Sequence, residues 1–487
     1  MTTKEAVLAL DQGSSSSRVL AFDPRGRVLA RAQRPVKTRF PAAGRVEHDA
    51  LDLARTLECS LDAVLKALPR STEVAAVGLS CQRSTVVLWD ADSGRPVCPA
   101  PSWQDARAAA LVAPLAADAA LRDRVHARTG LYLTPYYSAP KIRSLLEEYP
   151  AAARLAAQGR LRIGPVSTWV LWRLTKGAVF FVDPTMAQRT LLFDLSTWDW
   201  DAELLGLFGV PRAALPAVAP TTGPLAEFER GGRRLRLSAS VGDQQAAAYG
   251  QGGGAPGVGV LNYGTGAFFL LHTGARRAAV PGLLTSAAWQ KLGEPCQYFL
   301  EGTVHAAGTS LSWLKENLGL LDDPRKADAA CRRSRNRVLA LPAIGGLGAP
   351  RWDYRTPAAF WGLDARTTKD DLVRGVVEGL AQLVADGVDA ARAAGHDVSV
   401  FKAGGGLAAL DWLVAAQADF LGSPIVRLKE AEATALGAAA LAAEAAGVRW
   451  QARPAVGKTF KPRLSTAERR RLRAAWARFV AAQQSLS

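Results

Sequence analysis

The sequence has little that would build a disulfide scaffold, a metal cluster or a membrane protein. Its five cysteines are Cys59, Cys81, Cys98, Cys296 and Cys331, and none forms a Cys-x-x-Cys pair. An odd number without close spacing argues against a paired framework and a cysteine zinc site, and fits a reducing compartment. No run of about 18 uncharged apolar residues exists, so no membrane span is expected. The opening Met-Thr-Thr-Lys-Glu leads into an apolar segment without a secretory leader, so the expected location is cytoplasmic. The Walker pattern GxxxxGK[ST] is also missing, which excludes a P-loop nucleotide site.

Acidic residues are the scarcer charge: 44 Asp and Glu stand against 60 Lys and Arg, for a net charge of +16. Such an excess suits an anionic ligand. The arginines are spread along an Ala- and Arg-rich chain, which reads as a compositional bias, and no nucleic-acid partner is expected. Of the dense runs, Arg332 to Arg337 and Arg469 to Arg473, the second lies in a helical pattern and reads as a solvated face.

What is present is an ordinary globular composition, 49% apolar and 21% charged. Single hydrophobic cores stop growing at roughly 250–300 residues, so 487 residues predict two domains. The glycine-rich stretch from Gly250 to Gly259 is the natural junction, giving domains 1–250 and 251–487.

Residues 6–10, 19–22 and 28–30 read as a strand meander with a turn at Asp23-Pro24-Arg25-Gly26. Residues 51–68 carry helical periodicity, and 74–80 and 85–90 read as strands. After the junction, Gly259 to Tyr263 and Ala267 to Leu271 repeat the first design: apolar strand, small polar loop, apolar strand. The similarity is of pattern, and it suggests one copy per domain. Helices are expected over 371–392, 410–420 and 432–446. Mixed strands and helices make the class α/β or α+β.

Three loops carry candidate chemistry. In Asp11-Gln12-Gly13-Ser14-Ser15-Ser16-Ser17-Arg18, Gly13 permits a tight turn whose amides make a concave anion site. Arg18 supplies charge and Asp11 a carboxylate for Mg²⁺. The second loop is Tyr263-Gly264-Thr265-Gly266. The third, Gly404-Gly405-Gly406, follows a strand and opens a helix, where a nucleotide can lie near the helix N-terminus. Each loop alone reads equally well as a strand-joining turn; three at strand ends do not. In Gly242-Asp243-Gln244, Asp243 sits at a strand-to-helix junction, where it is either an N-cap or a base for an attacking hydroxyl.

These motifs, with Arg45-Val46-Glu47-His48-Asp49, Gln82-Arg83 and Gly345-Gly346-Leu347-Gly348-Ala349-Pro350, resemble the FGGY carbohydrate kinases in order from about residue 6 to 445. The resemblance implies two ribonuclease-H-like domains of the actin and Hsp70 superfamily, with an active-site cleft between them. It implies ATP and Mg²⁺ as cofactors and a small polyol or sugar as acceptor, glycerol first. Ser14, Ser15, Ser16, Gly13, Arg18, Gly264, Thr265, Gly266, Gly308, Gly404 and Gly405 would serve ATP. Asp11 and Asp243 would hold the metal, and Asp243 would be the base. Arg83, Ser84, Trp103, Asp105, Tyr136, Asp243, Gln244 and Phe268 would meet the acceptor. His48 reads as a structural turn histidine.

The sequence departs from the family in places. Ser84 stands where glycerol-phosphorylating members have Glu, and Trp103-Gln104-Asp105-Ala106-Arg107 looks more like the ketose kinases. A ketose or larger polyol is therefore the alternative acceptor. Ala409 replaces the Asn after the glycines, Ser144 a usual Trp, and Gly375 an Ala or Ser. The loop Glu229 to Arg234 is too short to carry over regulation by a sugar bisphosphate. A non-catalytic nucleotide-binding module of the actin type is a remote reading, opposed by Asp243, Gln244 and Arg83. A homodimer or homotetramer is left open as the assembly.

Overall fold

The computed structural model describes residues 4–429 and 432–486. Packing divides the chain into two units. The first runs to Gly250 and takes up Ser286–Gln297 and Glu432–Arg453; the second comprises Gln251–Thr285, Tyr298–Ala431 and Pro454–Ser487. The single cut expected at 250 thus leaves out two later segments that return to the first unit.

The first unit is built on six strands: β1 (Lys4–Gln12), β2 (Ser16–Phe22), β3 (Val28–Pro35), β4 (Thr72–Cys81), β5 (Thr222–Arg230) and β6 (Arg233–Gly242). Their order is β5-β6-β4-β1-β2-β3. The hairpins β1–β2 and β2–β3 are antiparallel, whereas β1, β4 and β6 run parallel. Ala6 to Leu10 are all fully buried, which is why β1 reads as an unbroken apolar run.

Helix Ala50–Ala67, capped by the Asp49 carboxylate, packs on β1, β2 and β3. Helix Ala433–Ala445 packs on β1, β4 and β6. Its alanines allow a very close approach: a Cβ on Gly78 would strike the Ala438 carbonyl, and one on Gly437 would strike that of Ala246. This packing brings Glu432–Arg453 back to the first unit.

A second sheet has seven strands: β7 (Val258–Tyr263), β8 (Ala267–Gly274), β9 (Leu284–Trp289), β10 (Gln297–Val304), β11 (Val400–Gly404), β12 (Ile425–Leu428) and β13 (Val456–Phe460). The order is β9-β10-β8-β7-β11-β12-β13. Within it, β10-β8-β7-β11-β12 repeats β3-β2-β1-β4-β6: two antiparallel pairings, then two parallel ones. The duplication seen in the sequence pattern is therefore a duplication of topology. Helix Lys369–Ala393 buries its apolar face in the second unit's core behind a capping box of Thr368 and Asp371. No helix among the described residues is long and apolar enough to cross a membrane.

Candidate active site

In open α/β sheets, ligands collect beyond the carboxyl ends of parallel strands. In the first unit those ends are Gln12 on β1, Cys81 on β4 and Gly242 on β6; Asp11 pairs with Ser80, and Gly242 with Cys81. Asp11, Arg83 and Asp243 are carried there.

Asp11 is buried. Its Oδ1 accepts from the Ser80 hydroxyl at 3.0 Å and its Oδ2 from Arg18 at 2.6 Å. Burial raises its pKa, against the opposing pull of Arg18 and Ser80. Arg18 reaches on to Glu432, at 2.9 Å. The guanidinium expected on phosphate is thus shared between two carboxylates. Removing Arg18 would leave Asp11 buried and unpaired, which typically costs about 3–5 kcal/mol.

The loop after β1 is closed by the Gly13 amide donating to the Ser16 carbonyl at 3.0 Å. Ser14 and Ser16 are half-exposed and Ser15 exposed, with Ser16 Oγ accepting from Gln33. Gln82 stitches this loop to the acceptor residues. Its amide donates to Gln12 and to the Gly13 carbonyl, its oxygen accepts from Thr85, and Thr85 Oγ1 accepts the Trp103 amide.

Asp243 opens helix Asp243–Gly250 directly after β6. The Arg83 Nε lies 3.7 Å from its Oδ1, which also accepts the Gln244 amide at 2.8 Å. Although its side chain is 27% exposed, desolvation pushes its pKa up to about 6. Arg83 opposes that rise and the charge of Asp11 adds to it. Arg83 is packed against Gly242, where a Cβ would meet its Cδ at 3.0 Å. A side chain at 242 would therefore displace the cation beside Asp243.

Ser84, Trp103 and Tyr136 sit on three separate segments joined through Lys141. The Ser84 carbonyl accepts from Ser138 at 3.3 Å and from Lys141 at 3.0 Å, and Lys141 also donates to the Ser102 carbonyl at 2.8 Å. Lys141 is fully buried, and its pKa is pushed down to about 7 by desolvation. Trp103 and Tyr136, just beyond Ser102 and just before helix Ser138–Glu148, stand 42% and 45% exposed, as a ligand platform needs. Ser84 has φ of +62° and its hydroxyl donates to the Arg189 carbonyl at 3.4 Å.

Asp105 is placed differently from the expectation. It is fully buried, with its oxygens taken by Arg107 and by the Val46 amide. Arg107 also binds Glu47. The structure makes Asp105 part of the framework beneath Trp103. His48 is buried, its Nδ1 3.1 Å from the Lys37 carbonyl.

The second unit offers backbone in place of charge. Gly264 and Thr265 are exposed in the turn between β7 and β8. Helix Gly308–Glu316 begins against them, with the Gly308 amide donating to the Gly264 carbonyl and the Ala307 amide to Thr265. Asn262 at the end of β7 pairs with Gly404 on β11. Gly405 has φ of +88°, and a Cβ there would strike the Tyr263 carbonyl. Beyond it comes a 3-10 turn, Gly406–Ala409, and only then helix Asp411–Leu421. The glycines do not open the α-helix directly because Leu410 is extended and Arg427 binds the Ala408 and Ala409 carbonyls. Phe268 is half-buried on β8 in this unit, apart in the chain from the other acceptor residues.

No group of three or more His, Cys, Asp or Glu residues able to hold a metal occurs among the described residues. Two carboxylates, Asp11 and Asp243, remain, and each makes the other harder to ionise. That donor set fits a cation that keeps most of its water and phosphate ligands, as Mg²⁺ does.

Sequence reasoning missed Ser80, Thr85, Asp183, Thr185, Arg189 and Glu432. Only the adjacency of Thr85 to Gln82-Arg83 gave a local signal. The others approach through tertiary pairing.

Residues 6–250 match the model of the FGGY family of carbohydrate kinases, N-terminal domain, and residues 259–446 that of its C-terminal domain. A protein named glycerol kinase from Thermus brockianus is 42% identical over 97% of each chain. One of the same name from Citrifermentans bemidjiense is 37% identical over 98% of each. Among solved structures, a Plasmodium falciparum glycerol kinase with ADP superposes with a TM-score of 0.91, at 27% identity, covering 99% of this chain and 98% of that one. A xylulose kinase from Rhodospirillum rubrum, 22% identical with a TM-score of 0.86 and 99% of each chain covered, shares the fold.

Proposed function

This chain belongs to the FGGY family of carbohydrate kinases, and we propose that it transfers the terminal phosphoryl group of ATP to a hydroxyl of glycerol, giving glycerol 3-phosphate. The observation that carries the reading is Asp243. A carboxylate tuned to about 6, half-exposed at a strand end and flanked by Arg83, is a base suited to an acceptor hydroxyl near neutral pH. The relatives named glycerol kinase, matched over nearly the whole chain, supply the acceptor.

In this reading Arg83 and Gln244 bind acceptor hydroxyls, and Trp103, Tyr136 and Phe268 pack on the carbon chain. Asp243 takes the proton from the hydroxyl that attacks phosphorus. The Thr265 turn and the glycines at 404 and 405 offer open backbone to the nucleotide, with Gly308 bracing the Thr265 turn from behind. Ser14, Ser15 and Ser16 add hydroxyl donors. Asp11 and Asp243 would hold Mg²⁺, which when bound supplies neutralising charge to the phosphates.

A larger acceptor is favoured by one observation. Ser84 presents a short neutral side chain where glycerol-phosphorylating members carry a carboxylate. Asp105 lends that alternative nothing, because its oxygens are already engaged. The deciding experiment is acceptor-dependent ADP release over glycerol, erythritol, xylulose and ribulose. Glycerol turnover well above the others is expected. Preference for a ketose would overturn the glycerol assignment, and no acceptor dependence at all would overturn the kinase reading.

A further inference from the structure

We propose that Thr185, held by the buried Asp183, is the positioning residue that fixes the base Asp243 for proton transfer. The inference rests on the reading of Asp243 as the base.

Helix Pro184–Gln188 is a single short turn capped by Asp183. Asp183 Oδ2 accepts from the Thr185 amide at 3.0 Å, from the Thr185 hydroxyl at 2.7 Å and from the Thr221 hydroxyl at 3.3 Å. Asp183, Thr185 and Thr221 are each fully buried. Asp183 Oδ1 has no hydrogen-bond partner among the described residues.

Asp183 Oδ2 accepts the Thr185 amide, so the Thr185 hydroxyl proton is committed to it and the hydroxyl lone pairs must face elsewhere. They face the Gly242 amide, which donates to Thr185 Oγ1 at 2.7 Å. Gly242 is the last residue of β6, and Asp243 is the next in the chain. The Val241–Gly242 peptide, one unit before the base, is therefore pinned by a hydroxyl whose rotation is locked by a buried carboxyl group.

The rest of the surroundings is consistent with a built support. Arg83 packs against the α-carbon of Gly242 and stands beside the Asp243 carboxylate. Thr221 Oγ1 accepts the Gln290 amide at 3.0 Å, and the Thr221 carbonyl accepts the Ser240 amide at 2.9 Å. Asp183 thus gathers the short helix, β5 and β6 at one point, two residues from the reacting carboxylate along the network. A buried carboxylate with one unsatisfied oxygen costs stability. Keeping one is reasonable where a fixed geometry is worth that cost.

The test compares Thr185→Val, which keeps the shape but removes both hydrogen bonds, with Thr185→Ser, which restores the hydroxyl. A small misplacement of a catalytic group costs on the order of 10–100-fold. Thr185→Val is expected to lose kcat by that factor with the KM for ATP within about twofold, and Thr185→Ser to recover most of it. A kcat for Thr185→Val within about threefold of the parent overturns the proposal. So does an equal loss in Thr185→Ser, or a parallel rise in the KM for ATP, which would mark general loosening. If Thr185→Val does not fold, Asp183→Asn is read against the same criteria. Asp243→Asn run alongside separates the two ideas. If it keeps turnover, the base reading has failed; if it is inactive while Thr185→Val is normal, only the role of Thr185 has failed.

Discussion

The two units share a strand order but spend their strand ends differently. At the ends of β1, β4 and β6 stand Asp11, Arg83 and Asp243, with charges paired through Arg18 and Glu432. At the ends of β7 and β11 stand Gly264, Thr265, Gly404 and Gly405, whose groups are backbone. One frame has been used once for side-chain chemistry and once for amides and clearance. Substitutions should therefore fail in different ways in the two places: turnover in the first unit, nucleotide affinity in the second.

The largest effect expected is in the first unit. Asp243→Asn removes the proposed general base and is expected to cost about 10²–10⁴-fold in kcat, while ADP binding measured by calorimetry stays near the parent value. Lost ADP binding would break the contrast.

The counterpart is Gly405→Val. Its φ of +88° and the Tyr263 carbonyl leave no room for a side chain, and strain of this kind costs on the order of 1–3 kcal/mol. The KM for ATP should rise about tenfold with the acceptor KM unchanged. An acceptor defect instead would show that the glycine serves something other than the nucleotide.

A finer test is the pH profile. As the proposed base, Asp243 would act when ionised, and burial pushes its pKa up to about 6. Turnover should fall as the pH drops through about 6, approaching tenfold per unit below it. Arg83 opposes the upward shift, so Arg83→Met should move the acid limb to higher pH, beyond any loss of acceptor affinity. A limb that stays in place would remove Arg83 from the electrostatics of the base.

The smallest effect concerns Lys141. Its pKa in the folded chain, about 7, lies below the ordinary 10.5. Folding therefore expels a proton between those values, and stability from this group rises with pH from about 7 to about 10.5. Lys141→Met removes that dependence, so the difference in denaturation midpoint between variant and parent should change across that range. The variant should also raise the acceptor KM by loosening the Ser84 and Ser102 carbonyls.

The sequence made local features legible. Expected helices at 51–68 and 371–392 appear as Ala50–Ala67 and Lys369–Ala393, because apolar periodicity and caps are written into the helix itself. The strand at 6–10 lengthens to Lys4–Gln12 because pairing with β4 extends the ladder beyond the apolar run. The placement of the glycine loops and of Asp243 at strand ends was legible because glycine and acid at a strand end are a local signature. What was illegible depends on distant partners. Asp105 looks like an exposed pocket acid until Arg107 and the Val46 amide close over it. Arg18 looks like a phosphate ligand until Glu432 arrives from 414 positions away.

That separation also sets an order of events for a chain made from its N-terminus. The face of β4 at Gly78 is covered by Ala438, and Asp11's partner Arg18 is braced by Glu432. The first unit emerges first, yet it stays open-faced until nine-tenths of the polypeptide exists. A fragment ending at Gly250 would carry that bare surface permanently. The two halves of this molecule are thus separable on paper along the sequence, but not at the bench by a single cut.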